Sequence, residues 1–317
     1  MNNNPKITQY KNKLEQQYIE EKDWLYASNF LESGFIQRGA ISDFLYAYKD
    51  DFSENAFMLG FDSLAVYSFD RARYFLTTQN NKEKFFEHFS LYAYYSYLTI
   101  HETSKGCQCL QGIPYLEMQR SANFFASNII ASQWDKVELM GKDLIDSLNA
   151  KACIIRRGNA KALQAWFLIE LYSKISDYEI NKRRAFYPKE FYPYDIVLKS
   201  WDTTDLNEVD KYVYILCDAH LETTGRNSEE KALYLEIPIL LLFPFEVLAW
   251  LRFREKQGLD NPKEFSHPLM NESTVKTLFE NKTLIPEPDK VPLLYEFLEP
   301  IYKHCPNIEK NSKFFTN

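Results

Sequence analysis

The residues able to do acid–base or metal chemistry in this chain are few and scattered. Five histidines stand at 88, 101, 220, 267 and 304. Asp218-Ala-His220 has the composition of a fragment of a metal or proton-transfer site, but the two side chains are two residues apart on a helical pattern. Each step turns about 100°, so they point about 200° apart and cannot act together from one regular helix. His220 instead continues the apolar stripe Val209, Val213, Leu216, Cys217, which argues for a histidine satisfied inside the core. His267-Pro268-Leu269 follows Asn261-Pro262 and reads as a loop. A loop histidine can serve as a general base, yet no nucleophile or carboxylate accompanies it in sequence, so capping or turn structure is the plainer reading. His101-Glu102 ends an aromatic helix, where a histidine complements the helix dipole.

Cys107-x-Cys109 is the only close pair among five cysteines. A structural zinc takes four ligands, usually from two such pairs, and Cys153, Cys217 and Cys305 stand apart. Two thiols in a loop, after a helix ending near Thr103, are expected. An odd cysteine count without a framework suits a reducing compartment. The dinucleotide, P-loop, zinc-protease and nucleophile-elbow motifs are missing. No two of the nine glycines lie within four residues of each other, whereas a phosphate-cradling loop needs several together. No catalytic residue, no metal and no cofactor is therefore expected. An enzyme with a buried all-α site would require His220, His267 or Glu246 to converge on one point.

The elements that would carry these residues are helices. In 317 residues, 16% are aromatic and 45% hydrophobic, enough for a large core without metal or disulfide support. In Lys82–His101, the residues Phe85, Phe89, Tyr92, Ala93, Ser96 and Ile100 share one face, and Leu91, Tyr94, Tyr95 and Leu98 cover much of the rest. A helix apolar nearly all round is buried. Further helices are predicted at Ala56–Thr77, Leu116–Ala131, Asp135–Asn149, Ala160–Ser176, Asp205–Thr223, Leu240–Gln257 and Val291–His304. No strand signal is comparable, and Ala152–Ile155 reads equally as helix. Eleven of the thirteen prolines lie from Pro188 onward, so long helices give way to helices separated by loops. The expected fold is all-α, of packed antiparallel helix pairs, irregular and repeat-like. It forms one domain over residues 1–317, or two lobes, 1–187 and 188–317, that share a core.

Charge narrows the partners. The net charge is −7, which disfavours nucleic acid. The most apolar window, Ile237–Leu251, holds Pro238, Pro244 and Glu246 and is too short to span a bilayer. The first residues have no apolar core, so no signal peptide and a cytoplasmic location are expected. Residues 201–222 hold six acids and one base. Asp205 with Glu208 has capping-box spacing, and Glu208, Asp218 and Glu222 fall on the face away from the apolar stripe. This face is either simply solvated or a patch for a basic partner.

Several phrases in this region resemble the immunity protein 49 family of bacterial polymorphic toxin systems. They are Pro193-Tyr-Asp195, Lys199-Ser-Trp201, Cys217-Asp-Ala-His220, Ile237-Pro238, Phe245-Glu-Val-Leu-Ala-Trp-Leu-Arg-Phe-Arg254, Gly258-Leu259 and His267-Pro-Leu-Met270. Together they span about a quarter of the chain. The resemblance implies an all-α, non-catalytic protein that binds and neutralises a cognate toxin, encoded by the adjacent gene, in interbacterial competition. With no export signal expected, the toxin would act in the cytosol. Occlusion of its active site or substrate groove is the expected mechanism. The candidate contacts are Trp201, Asp202, Asp205, Glu208, Asp218 and Glu222, with Trp201 either an anchor or a core residue. A helical-repeat adaptor without a toxin partner would share the fold and composition.

Overall fold

The computed structural model describes residues 4–20, 54–109, 116–154, 162–183, 187–224 and 242–281. It is all-α, with ten α-helices and one pair of two-residue strands among the described residues. The chain divides into two compact units. One comprises residues 1–20 and 116–283, the other residues 21–115 and 284–317. Position 187/188 lies inside the first of these.

In the second unit, α2 (Glu54–Thr77) and α3 (Lys82–Cys109) are joined by a four-residue turn. Their rings pair in reversed order, Phe61 with Tyr95, Phe69 with Phe89 and Tyr92, and Phe75 with His88, which makes the pair antiparallel. Every residue from His88 to His101 is buried, as the all-round apolar pattern requires. Burial, reinforced by the charges of Arg71 and Lys84, lowers the pKa of His88 to about 3. α3 runs on to Cys109, so Cys107 and Cys109 sit in the last turns of the helix and not in the loop expected after Thr103. Neither proline nor a stop signal interrupts the chain there, and a lone Gly106 weakens a helix without ending it.

The first unit begins with α1 (Pro5–Glu20), held by Tyr10 Oη donating to the Leu221 carbonyl (3.4 Å) and by Lys11 paired with Glu272 (2.9 Å). After β1 (Leu116–Glu117) comes α4 (Met118–Ile130). The Glu117 carboxylate caps α4, accepting from the amides of Gln119 and Arg120. A carboxylate is favoured there because the first turn presents unpaired N–H groups. α5 (Trp134–Asn149) leads to β2 (Cys153–Ile154), which pairs in parallel with β1. Leu116 and Glu117, expected as the start of a helix, are thus extended, and Cys153–Ile154, in the stretch that read equally as strand or helix, is strand.

α6 (Leu163–Ile175) packs on α4 and α5. Gly141 in α5 lies directly under the Tyr172 ring of α6, so a methyl group there would overlap the ring. This close approach explains a glycine inside a helix.

A short helix, α7 (Tyr194–Lys199), is followed by α8 (Leu206–Thr224) and α9 (Phe245–Lys256). α9 packs against α4, α6 and α8, and each of its residues from Phe245 to Arg254 is buried. It starts at Phe245 and not at Leu240, because Pro244 occupies the N-cap position and proline suits the start of a helix and not its interior. A 3₁₀ turn (Pro268–Asn271) and α10 (Ser273–Glu280) complete the described part. The helix expected at Val291–His304 lies outside the described residues. No helix among the described residues is long and apolar enough to cross a membrane.

Candidate functional site

α8 carries the chemistry the sequence singled out, on two opposite sides. Its inner side presents Val209, Val213, Leu216, Cys217 and His220, all fully buried. From α9, Glu246 reaches the same place. His220 Nδ1 lies 3.0 Å from Glu246 Oε1 and 3.2 Å from Oε2, and both side chains are 0% exposed. His220 Nδ1 thus faces both oxygens of the Glu246 side chain. The Tyr194 hydroxyl of α7 also sits against Glu246, without completing a hydrogen bond of ordinary geometry. Burial first, and then the Glu246 charge, raise its pKa far above the ordinary value. The Cys217 thiol is raised by the same two causes, so it stays a thiol and a weak nucleophile.

The outer side of α8 is an i, i+4 row: Leu206, Asp210, Tyr214, Asp218, Glu222. Leu206 and Tyr214 are 40% and 43% exposed, and Glu222 is exposed. Asp210 and Asp218 are half-buried because the segment after α9 lies on them. Asp210 Oδ1 accepts the Ser266 amide (2.9 Å). Asp218 Oδ1 faces His267 Nε2 at 3.2 Å, and the His267 ring is 1% exposed. His267 Nδ1 accepts the Leu269 amide (3.1 Å) and so caps the 3₁₀ turn. That bond fixes the tautomer, since Nδ1 must be bare and Nε2 must carry hydrogen. Burial, the largest effect, holds the His267 pKa below its ordinary value of 6.5 despite Asp218. The Tyr214 ring meets His267 edge-on, with centroids 4.9 Å apart.

The remaining candidate contacts stand at the start of α8. Asp205 Oδ1 accepts the Asn207 amide (2.9 Å), a capping bond. Glu208 accepts from the hydroxyls of Thr203 and Tyr212, each at 2.6 Å. Those two donors, Thr203 foremost, hold its carboxyl below the usual range. Trp201 is half-buried and Asp202 exposed. The Trp201 carbonyl accepts from Trp250 Nε1 (3.1 Å) and from the Arg254 guanidinium (2.9 Å). Arg254 also binds the Asp260 carbonyl and the Asn261 side chain. The 201–202 corner is thereby tied to α9.

Asp218 and His220 do not act as a pair, as the helical geometry requires: each takes a partner on the opposite side of α8. Those partners, His267 at a separation of 49 residues and Glu246 at 26, are not legible as pairs in sequence. One signal did point to the buried pair. A carboxylate second in the apolar run Phe245–Leu251 must meet a buried partner to be stable there. No group of three or more histidines, cysteines and acids fit to hold a metal occurs among the described residues.

No family model matches the chain, and neither a curated protein nor a solved structure matches it.

Proposed function

We propose that this protein is an immunity protein that binds a cognate antibacterial toxin acting in the cytosol and blocks its active site or substrate groove. The observation that carries this reading is the outer row of α8. An exposed tyrosine and leucine are set among acids, with Lys211 the one base over residues 201–222. Tyrosine is a favoured interface anchor because it buries a large rigid surface and keeps a polar tip, and surrounding acids speed encounter with a basic protein. Inhibition at nanomolar strength needs about −12 kcal/mol, within reach of an interface of about 1,600 Å² with a few anchors.

The test is co-expression and pull-down with the product of the adjacent gene. The expected result is a stable complex and restored growth. Tyr214→Ala should weaken binding at least about ten-fold, mainly through faster dissociation. Glu222→Lys should slow association at low salt, with the effect shrinking as salt is added. Failure to bind and to restore growth removes the reading. Stable binding of a different protein, without any rescue of growth, would favour an adaptor.

A further inference from the structure

The segment from Ser266 to Asn271 meets α8 through the Ser266 amide, on Asp210, and through one titratable ring whose two nitrogens have opposite jobs. Nδ1 of His267 is an acceptor, for the Leu269 amide, and Nε2 is a donor, to Asp218. Only the neutral ring protonated on Nε2 satisfies both. A proton added at Nδ1 would set two N–H groups against each other in a site that is 1% exposed, where an unpaired donor is costly. The Nε2 contact is affected differently, because an imidazolium holds a carboxylate more strongly than a neutral ring does.

We infer that the 3₁₀ turn Pro268–Asn271 is an acid-released latch: protonation of His267 at Nδ1 frees the turn while the ring stays on Asp218. The titratable groups acting on the ring are Asp218, His220 and Asp210, all from α8. The two aspartates favour the charged ring. Burial and His220 oppose it, and burial is the largest effect. The closed turn therefore prefers the neutral ring, and opening grows as pH falls below about 6.5, the ordinary histidine value. Opening exposes Leu269 and Met270, both buried when the turn is closed. The motion is thus confined to a short hydrophobic flap beside the Asp210 and Asp218 carboxylates.

The experiment is amide hydrogen exchange on the full chain at about pH 7.5 and about pH 5, corrected for intrinsic exchange. Protection of the Met270 and Glu272 amides, which close the turn onto His267 and Leu269, should fall at least about ten-fold at the lower pH, while α9 amides stay unchanged. In His267→Asn the side-chain oxygen can still cap the turn but cannot titrate, so protection should no longer depend on pH. Equal protection of the wild type at both pH values overturns the latch, and so does an equal fall in His267→Asn. Should that variant not fold, histidine ring NMR of the wild type decides. The latch requires hydrogen on Nε2 at neutral pH and a titration midpoint that coincides with loss of protection. Hydrogen on Nδ1, or midpoints that disagree, refutes it.

Discussion

His220 with Glu246 and His267 with Asp218 are the same chemical pair in two settings, on opposite sides of α8. The first is 0% exposed at both ends and joins two helices. The second joins a buried ring to a carboxylate that is 49% exposed, and ties a turn to a helix. The contact distances differ by only about 0.2 Å; what separates them is access of water to the acid. Where water is excluded, neither partner can be solvated if the other is removed, so the contact is effectively compulsory. Where the acid is wet, losing the pair exposes it to solvent at small cost. The hidden pair therefore constrains the fold, and the wet one is free to respond to conditions.

The largest effect should come from breaking the hidden pair. Glu246→Ala removes the carboxylate that His220 contacts and opens a gap beside Tyr194, and is expected to cost about 3–5 kcal/mol in urea unfolding. Replacing both residues together, His220→Leu with Glu246→Leu, should return most of that loss, because two apolar side chains need no partner. A double variant as unstable as the single one would show that packing, and not charge, dominates there. His267→Ala removes the cap of the 3₁₀ turn and leaves a buried amide unpaired; about 1–3 kcal/mol is expected, read from the same unfolding curves. The smallest effect belongs to Asp218→Asn, which keeps an acceptor in a half-wet position. Less than about 1 kcal/mol should be lost, measurable as a shift in Tm. If Asp218→Asn matches Glu246→Ala, solvent access is not what distinguishes the two pairs.

The acidic patch read from sequence looks different once its members are placed. Asp205 caps α8, Glu208 takes two hydroxyls, and Asp210 and Asp218 hold the segment after α9. Asp202 and Glu222 are the exposed ends of the set. Acids that seem equivalent in a string of letters thus divide into those that fasten the chain to itself and those that face outward. That division depends on which backbone amides and hydroxyls lie opposite, and those come from segments as far as 56 residues away.

What the sequence determined by itself is most of the long helices among the described residues, with the buried faces of α3 and α8; the sixteen-residue α1 (Pro5–Glu20) was not among those expected. The 3.6-residue spacing of Phe85, Phe89 and Tyr92, or of Val209, Val213 and Leu216, dictates both the helix and the side it hides. The short elements α7 and α10, the 3₁₀ turn and the strand pair were not legible. Runs of two to eight residues carry too little periodicity, and neighbouring elements decide their state. Tertiary structure alone decided which acid meets which histidine. A buried polar side chain must find a partner, but its own position in the chain does not say where. Only the packing of α9 against α8, and of the following turn over α8, brings Glu246 to His220 and Asp218 to His267.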